Sequence, residues 1–206
     1  MSSTRITGIV LAGGQSRRIG ANKSLLKIGE SFIIDHVLRA LSPLSSSVII
    51  VTDEAHFILL RSSNPDARVV QDIYPARGPL GGIYTGLLHS EDVYNLVVGC
   101  DMPFLNADFI NYLIDEAPGH DIVVPRIEWK TEPLHALYSR SCLPAIESLL
   151  QDGQLQIIKL FDRVNTHYIT EKEIDRFDPD HLTFFNINTE NDLARAQALK
   201  ETVKGR

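Results

Sequence analysis

Cysteine is scarce in this chain: Cys100 and Cys142 are the only two among 206 residues. Two thiols cannot build the disulfide framework of a small secreted scaffold, and such sparing use suits a reducing compartment. Positive charge is short as well, with 20 Lys and Arg against 26 Asp and Glu, a net charge of -6. That balance speaks against a broad nucleic-acid or membrane-surface role, which wants a surplus of Lys and Arg. No apolar run approaches the ~20 residues that a membrane-spanning helix needs. The opening MSSTRITGIV lacks the long apolar stretch of a signal peptide. The cytoplasm is therefore the expected location, with no nucleic acid and no membrane as partner. The seven histidines are scattered and no two stand at zinc-ligand spacing, so a His- or Cys-bound metal is not expected. Internal repeats and low-complexity segments are absent too, which removes repeat arrays from consideration.

What is there is the make-up of an ordinary globular protein, 44% hydrophobic and 22% charged, in a chain long enough for one well-buried domain. Compact β-type runs fall at Ile6–Leu11, Ser47–Thr52, Arg68–Gln71, Asn95–Cys100 and Asp121–Val124. Amphipathic helical segments lie between them, at Phe32–Leu41, Ala55–Arg61, Leu80–Ser90 and Ala107–Ala117. Short runs rich in Val and Ile suit strands buried on both faces. Their alternation with helices predicts an α/β fold: one doubly wound, mostly parallel sheet with right-handed crossovers and helices on both faces. After Val124 the pattern loosens. Pro133–Ser139, Thr166–Thr170 and the start of Leu182–Thr189 read as strands, Cys142–Leu150 and Gln156–Val164 as helices. Thr189 is a fitting N-cap for a last helix running to about Lys200.

In such sheets ligands bind outside the carboxyl ends of the strands. The first strand ends in Ala12-Gly13-Gly14, and its loop carries Arg17, Arg18, Lys23 and Lys27 with no acidic residue between Gly13 and Gly29. Glycines let backbone N–H groups approach phosphate oxygens, and Arg17 and Lys23 add full charges. The loop fails the Walker A pattern, because Gly20 stands three residues before Lys23-Ser24. It also lacks the dinucleotide fingerprint, and Gly14–Arg18 is no nucleophile elbow, since its fifth residue is Arg. A surface turn with solvated charges is the plain alternative. The fourth strand delivers Asp101 before Met102-Pro103. A carboxylate there suits Mg²⁺, which takes one or two carboxylates plus substrate phosphates. Capping the next helix is the other role open to Asp101, but Asn106 and Asp108 are better placed for it. Asp72 leaves the third strand, and the Gly78–Gly82 stretch after it leads into a helix N-terminus, a ready anion site. Asp72 with Asp101 also allows an acid/base pair of the glycosidase kind. The cations of the first loop argue for a phosphate-rich substrate instead.

Taken together, LAGGQSRRIGANKSLL, DIYPARGPLGGI, CDMPFL, PLHALY and NINTENDL resemble the molybdenum cofactor guanylyltransferase family, from Gly8 to about Leu199. The first motif alone marks the broader nucleotidyltransferase superfamily; PLHALY and NINT narrow it. The resemblance implies a Rossmann-like nucleotide-binding topology in a single domain, 1–206. Residues 1–125 would form the nucleotide-binding part and 126–206 the acceptor-binding part. It implies transfer of GMP from GTP to the terminal phosphate of molybdopterin, with release of pyrophosphate. Leu11, Ala12 and Gly13 would hold GTP, with Lys23 on its phosphates. Asp72 would contact the nucleotide, and Asp101 would contact it and carry Mg²⁺. Gly20, Asn186 and Asn188 fall where the family meets molybdopterin. Arg17, Lys23 and Asp101 are the expected catalytic residues. Transient contact with cofactor-insertion proteins or apo-molybdoenzymes is a further partner expectation. One departure stands out: where many members carry Asn, near the guanine, this chain has Asp53. Base choice is thus where the resemblance transfers least well. CTP as donor, a sugar or polyol phosphate as acceptor, and a non-catalytic carrier of the finished cofactor are the rival readings. His135 reads as a core residue before it reads as a pterin contact, and Trp129 as either a stacking ring or the anchor of a loop.

Overall fold

The computed structural model describes residues 4–13, 26–64 and 66–204, with side chains to residue 200. The first loop's Arg17, Arg18, Gly20 and Lys23 lie outside these residues. An eight-stranded sheet organises the fold. Its members are β1 (Ile6–Leu11), β4 (Ser47–Thr52), β5 (Arg68–Gln71), β6 (Tyr94–Gly99), β7 (Ile122–Ile127), β8 (Lys130–Thr131), β9 (His135–Ser139) and β10 (Thr166–Thr170). The order is β10-β7-β9-β6-β1-β4-β5, with β8 attached to β7. β1 runs parallel to both β4 and β6, β4 parallel to β5, and β7 parallel to β10. β9 and the short β8 are the antiparallel members. From β1 the chain winds outward through β4 to β5, then returns to β6 on the other side of β1. The strand order reverses between β1 and β6, and that reversal opens a crevice at their carboxyl ends.

Strand residues alternate between two cores, as the period of a pleated strand requires. Val10, Ile50, Leu96 and Val98 face α1 (Ile33–Leu41), Leu60 of α2 (Glu54–Ser63) and α4 (Ala107–Asp115). Ile9, Ile49, Val51 and Val97 face α3 (Gly78–His89) and α5 (Leu143–Gln151). Each such fully buried aliphatic side chain contributes about 1.5–3 kcal/mol over its exposed state. A third, small cluster joins Ile28 and Ile33 to Ile187 and Ala196, tying the hairpin of β2 (Lys27–Ile28) and β3 (Ser31–Phe32) to α8 (Glu190–Lys204).

Three expectations need correction. Leu182–Thr189 contains no strand: Leu182–Phe184 is a 3-10 turn, with the Thr183 amide held by Asp178 and His181 in the left-handed region. Phe184 and Ile187 enter the core singly, so the apolar run never needed a strand partner. Gln156–Val164 shortens to the single helical turn α6 (Ile158–Phe161), flanked by the tighter i→i+3 bonds Lys159 N–H to Gln156 and Arg163 N–H to Leu160. β7 runs on through Pro125 to Ile127, into a hairpin whose turn residue Glu128 has φ +52°. The residue pattern also misses the β2–β3 hairpin, and α7 (Glu171–Ile174), which carries a capping box built by Thr170 and Glu173. The last helix does start after Thr189, whose hydroxyl accepts from the Asp192 amide, and it ends at Lys204 instead of near Lys200.

Candidate functional site

Three chain segments leave the sheet side by side at the switch point, each held by a hydrogen bond that prolongs the ladder. Ala12 N–H donates to Val51 (2.8 Å), Cys100 N–H to Leu11 (3.1 Å) and Asp72 N–H to Thr52 (2.8 Å). Between them opens a cavity of about 450 Å³. Its wall is made by Leu11-Ala12-Gly13 after β1, Thr52-Asp53 after β4, Asp72 after β5 and Cys100-Asp101 after β6. Gly78 and Pro79, at the N-terminus of α3, close another side, where the Gly78 N–H is one that the helix itself cannot pair. Ala76, beside them, is held at φ +62°, a conformation that costs a non-glycine residue about 1–3 kcal/mol and concentrates at ligand sites.

The two carboxylates of the expected site are held differently. Asp72 Oδ1 accepts from the Tyr74 amide and the Thr85 hydroxyl, both at 2.9 Å. Asp101 accepts from the Ile187 amide through its backbone carbonyl (3.0 Å), while its Oδ1 lies over Gly99. A Cβ on Gly99 would stand 2.6 Å from that oxygen, so only glycine leaves the carboxylate its place. Capping of α4 belongs to Asn106, whose Oδ1 accepts from Phe109 N–H at 2.9 Å. Asp101 is thus spared that role. A hard cation fits this donor: a half-buried carboxylate in a glycine cradle at the cavity wall. Among the described residues no three His, Cys, Asp or Glu groups stand ready to hold an ion alone. A Mg²⁺ here would share Asp101 with substrate oxygens.

Asp53 lines the cavity, yet its Oδ1 is already engaged: it caps α2 by accepting from His56 N–H (3.1 Å) and pairs with His56 Nδ1 (2.6 Å). Gly13 is exposed, and a Cβ there would meet Asp53 N at 3.5 Å, an ordinary contact. Packing among the described residues does not demand glycine at 13; close approach of a ligand would.

The fold therefore brings Leu11, Ala12, Gly13, Asp72 and Asp101 to one cavity. Asn186 and Asn188 flank the buried Ile187, whose amide binds the Asp101 carbonyl, so they lie beside the cavity and not in its wall. Asn186 Nδ2 donates to the Phe184 carbonyl at 2.9 Å. His135 is fully buried against the rings of Phe109 and Phe184 and does not line this cavity. Burial pushes its pKa down to about 3, with the Thr183 backbone pulling weakly the other way. Neither ring nitrogen has a hydrogen-bond partner of ordinary geometry among the described residues. Trp129 stands at the tip of the β7–β8 hairpin, 84% exposed. Thr52 and Thr85 contribute to the site without having been marked by any motif, since a lone Thr carries no pattern; Ala76 lies within DIYPARGPLGGI but nothing in its own residue type singles it out.

The model of the MobA-like NTP transferase domain matches residues 8–166. A probable molybdenum cofactor guanylyltransferase of Pelotomaculum thermopropionicum is 35% identical over 95% of this chain and 93% of its own length. A molybdenum cofactor guanylyltransferase of Desulfosudis oleivorans is 35% identical over 94% of this chain and 95% of its own. The crystal structure of molybdopterin-guanine dinucleotide biosynthesis protein A from Archaeoglobus fulgidus superposes with a TM-score of 0.83 at 29% identity. That likeness covers 95% of this chain and 99% of the other. Family model, relatives and sheet topology agree, and the protein belongs to the MobA-like NTP transferase family, a family of nucleotidyltransferases.

Proposed function

We propose that this transferase moves GMP from GTP to the terminal phosphate of molybdopterin, releasing pyrophosphate and leaving the molybdopterin guanine dinucleotide. The observation that carries the reading is the convergence of Gly13, Asp72 and Asp101 on one cavity at the switch point of the sheet. The names of the similar proteins supply the donor and acceptor. An oxygen of the acceptor phosphate attacks the α-phosphorus of GTP, a new P–O bond forms, and the bond to the β-phosphate oxygen breaks. The attacking phosphate is already an anion near neutral pH, so no strong general base is required. What the chain must supply is positioning and charge neutralisation. Leu11, Ala12 and Gly13 would hold the nucleotide, Gly13 through close approach of its backbone, and Arg17 and Lys23 balance charge building on the α-phosphoryl and pyrophosphate oxygens. Asp101 would hold Mg²⁺, which when bound neutralises phosphate charge. Asn186 and Asn188, on the acceptor side, would meet molybdopterin together with Gly20. The reading assigns 1–125 to the nucleotide and 126–206 to the acceptor. Two buried cysteines, neither in a disulfide, suit a cytoplasmic setting. Among the described residues no helix is long and apolar enough to cross a membrane.

Asp101→Ala tests the assignment directly. The variant should stay folded, bind Mg²⁺–GTP more weakly by calorimetry and lose turnover. Full activity in that variant would remove the metal role. Lys23→Ala should lower turnover by roughly 10²–10³-fold, the scale of one oxyanion donor, and by more than any substitution in α8.

A further inference from the structure

Thr85 lies in the second turn of α3 and is fully buried. Its Oγ1 stands 2.9 Å from Asp72 Oδ1, 3.0 Å from the Gly81 carbonyl and 3.2 Å from the Ile73 amide nitrogen. A hydroxyl has one proton to give and two lone pairs with which to accept. Ile73 N–H donates to it. For its single proton the ionised carboxylate is the stronger acceptor, because charge-assisted bonds exceed neutral ones. The carbonyl four residues back, at Gly81, would alone have satisfied the hydroxyl, as a helical Thr commonly arranges. The second contact thus serves the carboxylate more than the threonine.

Tyr74 N–H donates to the same Oδ1. Both fixing bonds fall on one oxygen of Asp72, and among the described residues Oδ2 receives none. Asp72 is half-buried and lines the cavity, while Thr85 does not. The geometry points to Thr85 as a positioning residue for nucleotide recognition. It locks Asp72 Oδ1 from behind, so that Oδ2 meets a donor group of the nucleotide in one fixed orientation. This rests on the cavity being the nucleotide site. It goes beyond that reading in giving a residue outside the cavity a share of the affinity.

The test is calorimetric titration of Mg²⁺–GTP into the wild type, Thr85→Val, Thr85→Ser, Asp72→Asn and the Asp72→Asn/Thr85→Val double variant. Thr85→Val should weaken binding by about tenfold or more, the range of a hydrogen bond to a charged group. Thr85→Ser should bind like the wild type, because it keeps the hydroxyl. In the Asp72→Asn background, Thr85→Val should cost clearly less, since the two residues act as one unit. In turnover, the GTP KM should rise while the molybdopterin KM stays put, a split that loss of packing alone would not give. Wild-type affinity in Thr85→Val, a Thr85→Ser loss as large as that of Thr85→Val, or fully additive penalties would each overturn the inference. A wild type that prefers CTP, with the Thr85→Val penalty carried over to CTP, contradicts guanylyl transfer yet supports Thr85. Should Thr85→Val fail to fold, Thr85→Ala against Thr85→Ser makes the same comparison.

Discussion

Two glycines at the cavity answer to different masters, and substitution separates them. Gly13→Ala adds a methyl group in ordinary contact with its protein neighbours. The unfolding free energy should therefore stay within the small range of neutral surface changes, about ±0.5 kcal/mol, while GTP affinity falls. Parallel thermal melts and calorimetry check both halves; unaltered affinity would mean that no ligand approaches this backbone. Gly99→Ala instead drives a Cβ to 2.6 Å from Asp101 Oδ1, and the carboxylate must move. Turnover should drop with Mg²⁺–GTP affinity, and raised Mg²⁺ should recover part of it. Asp72 and Asp101 could be read from the sequence because each is a charged residue ending an apolar run, a place where the fold must expose it at a sheet end. Thr85 and Tyr74 could not. The bonds that hold Asp72 come from a helix and a loop that only folding sets against it. Asp53 lines the cavity, but its pairing with His56 shows only once α2 is formed.

At the scale of elements, α3 lies close against β1, and its glycines make that approach possible. A Cβ on Gly86 would come within 2.5 Å of Ile9, a side chain buried in the sheet with no room to withdraw. Gly86→Ala should cost about 1–3 kcal/mol in denaturant unfolding, the penalty of overpacking a core. A neutral result would show that helix and strand can separate without loss. The strands β1, β4 and β5 begin and end where the residue pattern sets them, since Val and Ile runs bounded by turn residues leave few alternatives. The pattern fails where apolar residues serve the core one at a time, as with Phe184 and Ile187, or where a proline sits inside a strand, as with Pro125 in β7.

For the molecule as a whole, His135 ties the sheet to α4 and the 182–184 turn as a neutral ring among phenylalanines. With its pKa near 3 in the fold and 6.5 when exposed, the unfolded chain takes up a proton in that window that the folded chain refuses. Stability is therefore complete above pH 6.5 and falls as the pH drops toward 3, by up to about 1.4 kcal/mol per pH unit from this residue. His135→Phe should flatten that acid slope relative to wild type in pH-dependent unfolding; parallel slopes would show that the ring is protonated in the folded protein. The doubly wound plan was readable because strand–helix alternation leaves little freedom of topology. The reversed strands β9 and β8 were not, since a strand's direction leaves no mark in its own residues.

The central claim is guanylyl transfer, and the direct measurement is pyrophosphate release by the wild type with molybdopterin and each of GTP, CTP, ATP and UTP. The account predicts release with GTP well above the others, with product carrying both molybdopterin and GMP. Equal release with CTP, a preference for it, or tight binding of the finished dinucleotide without any GTP turnover would contradict it.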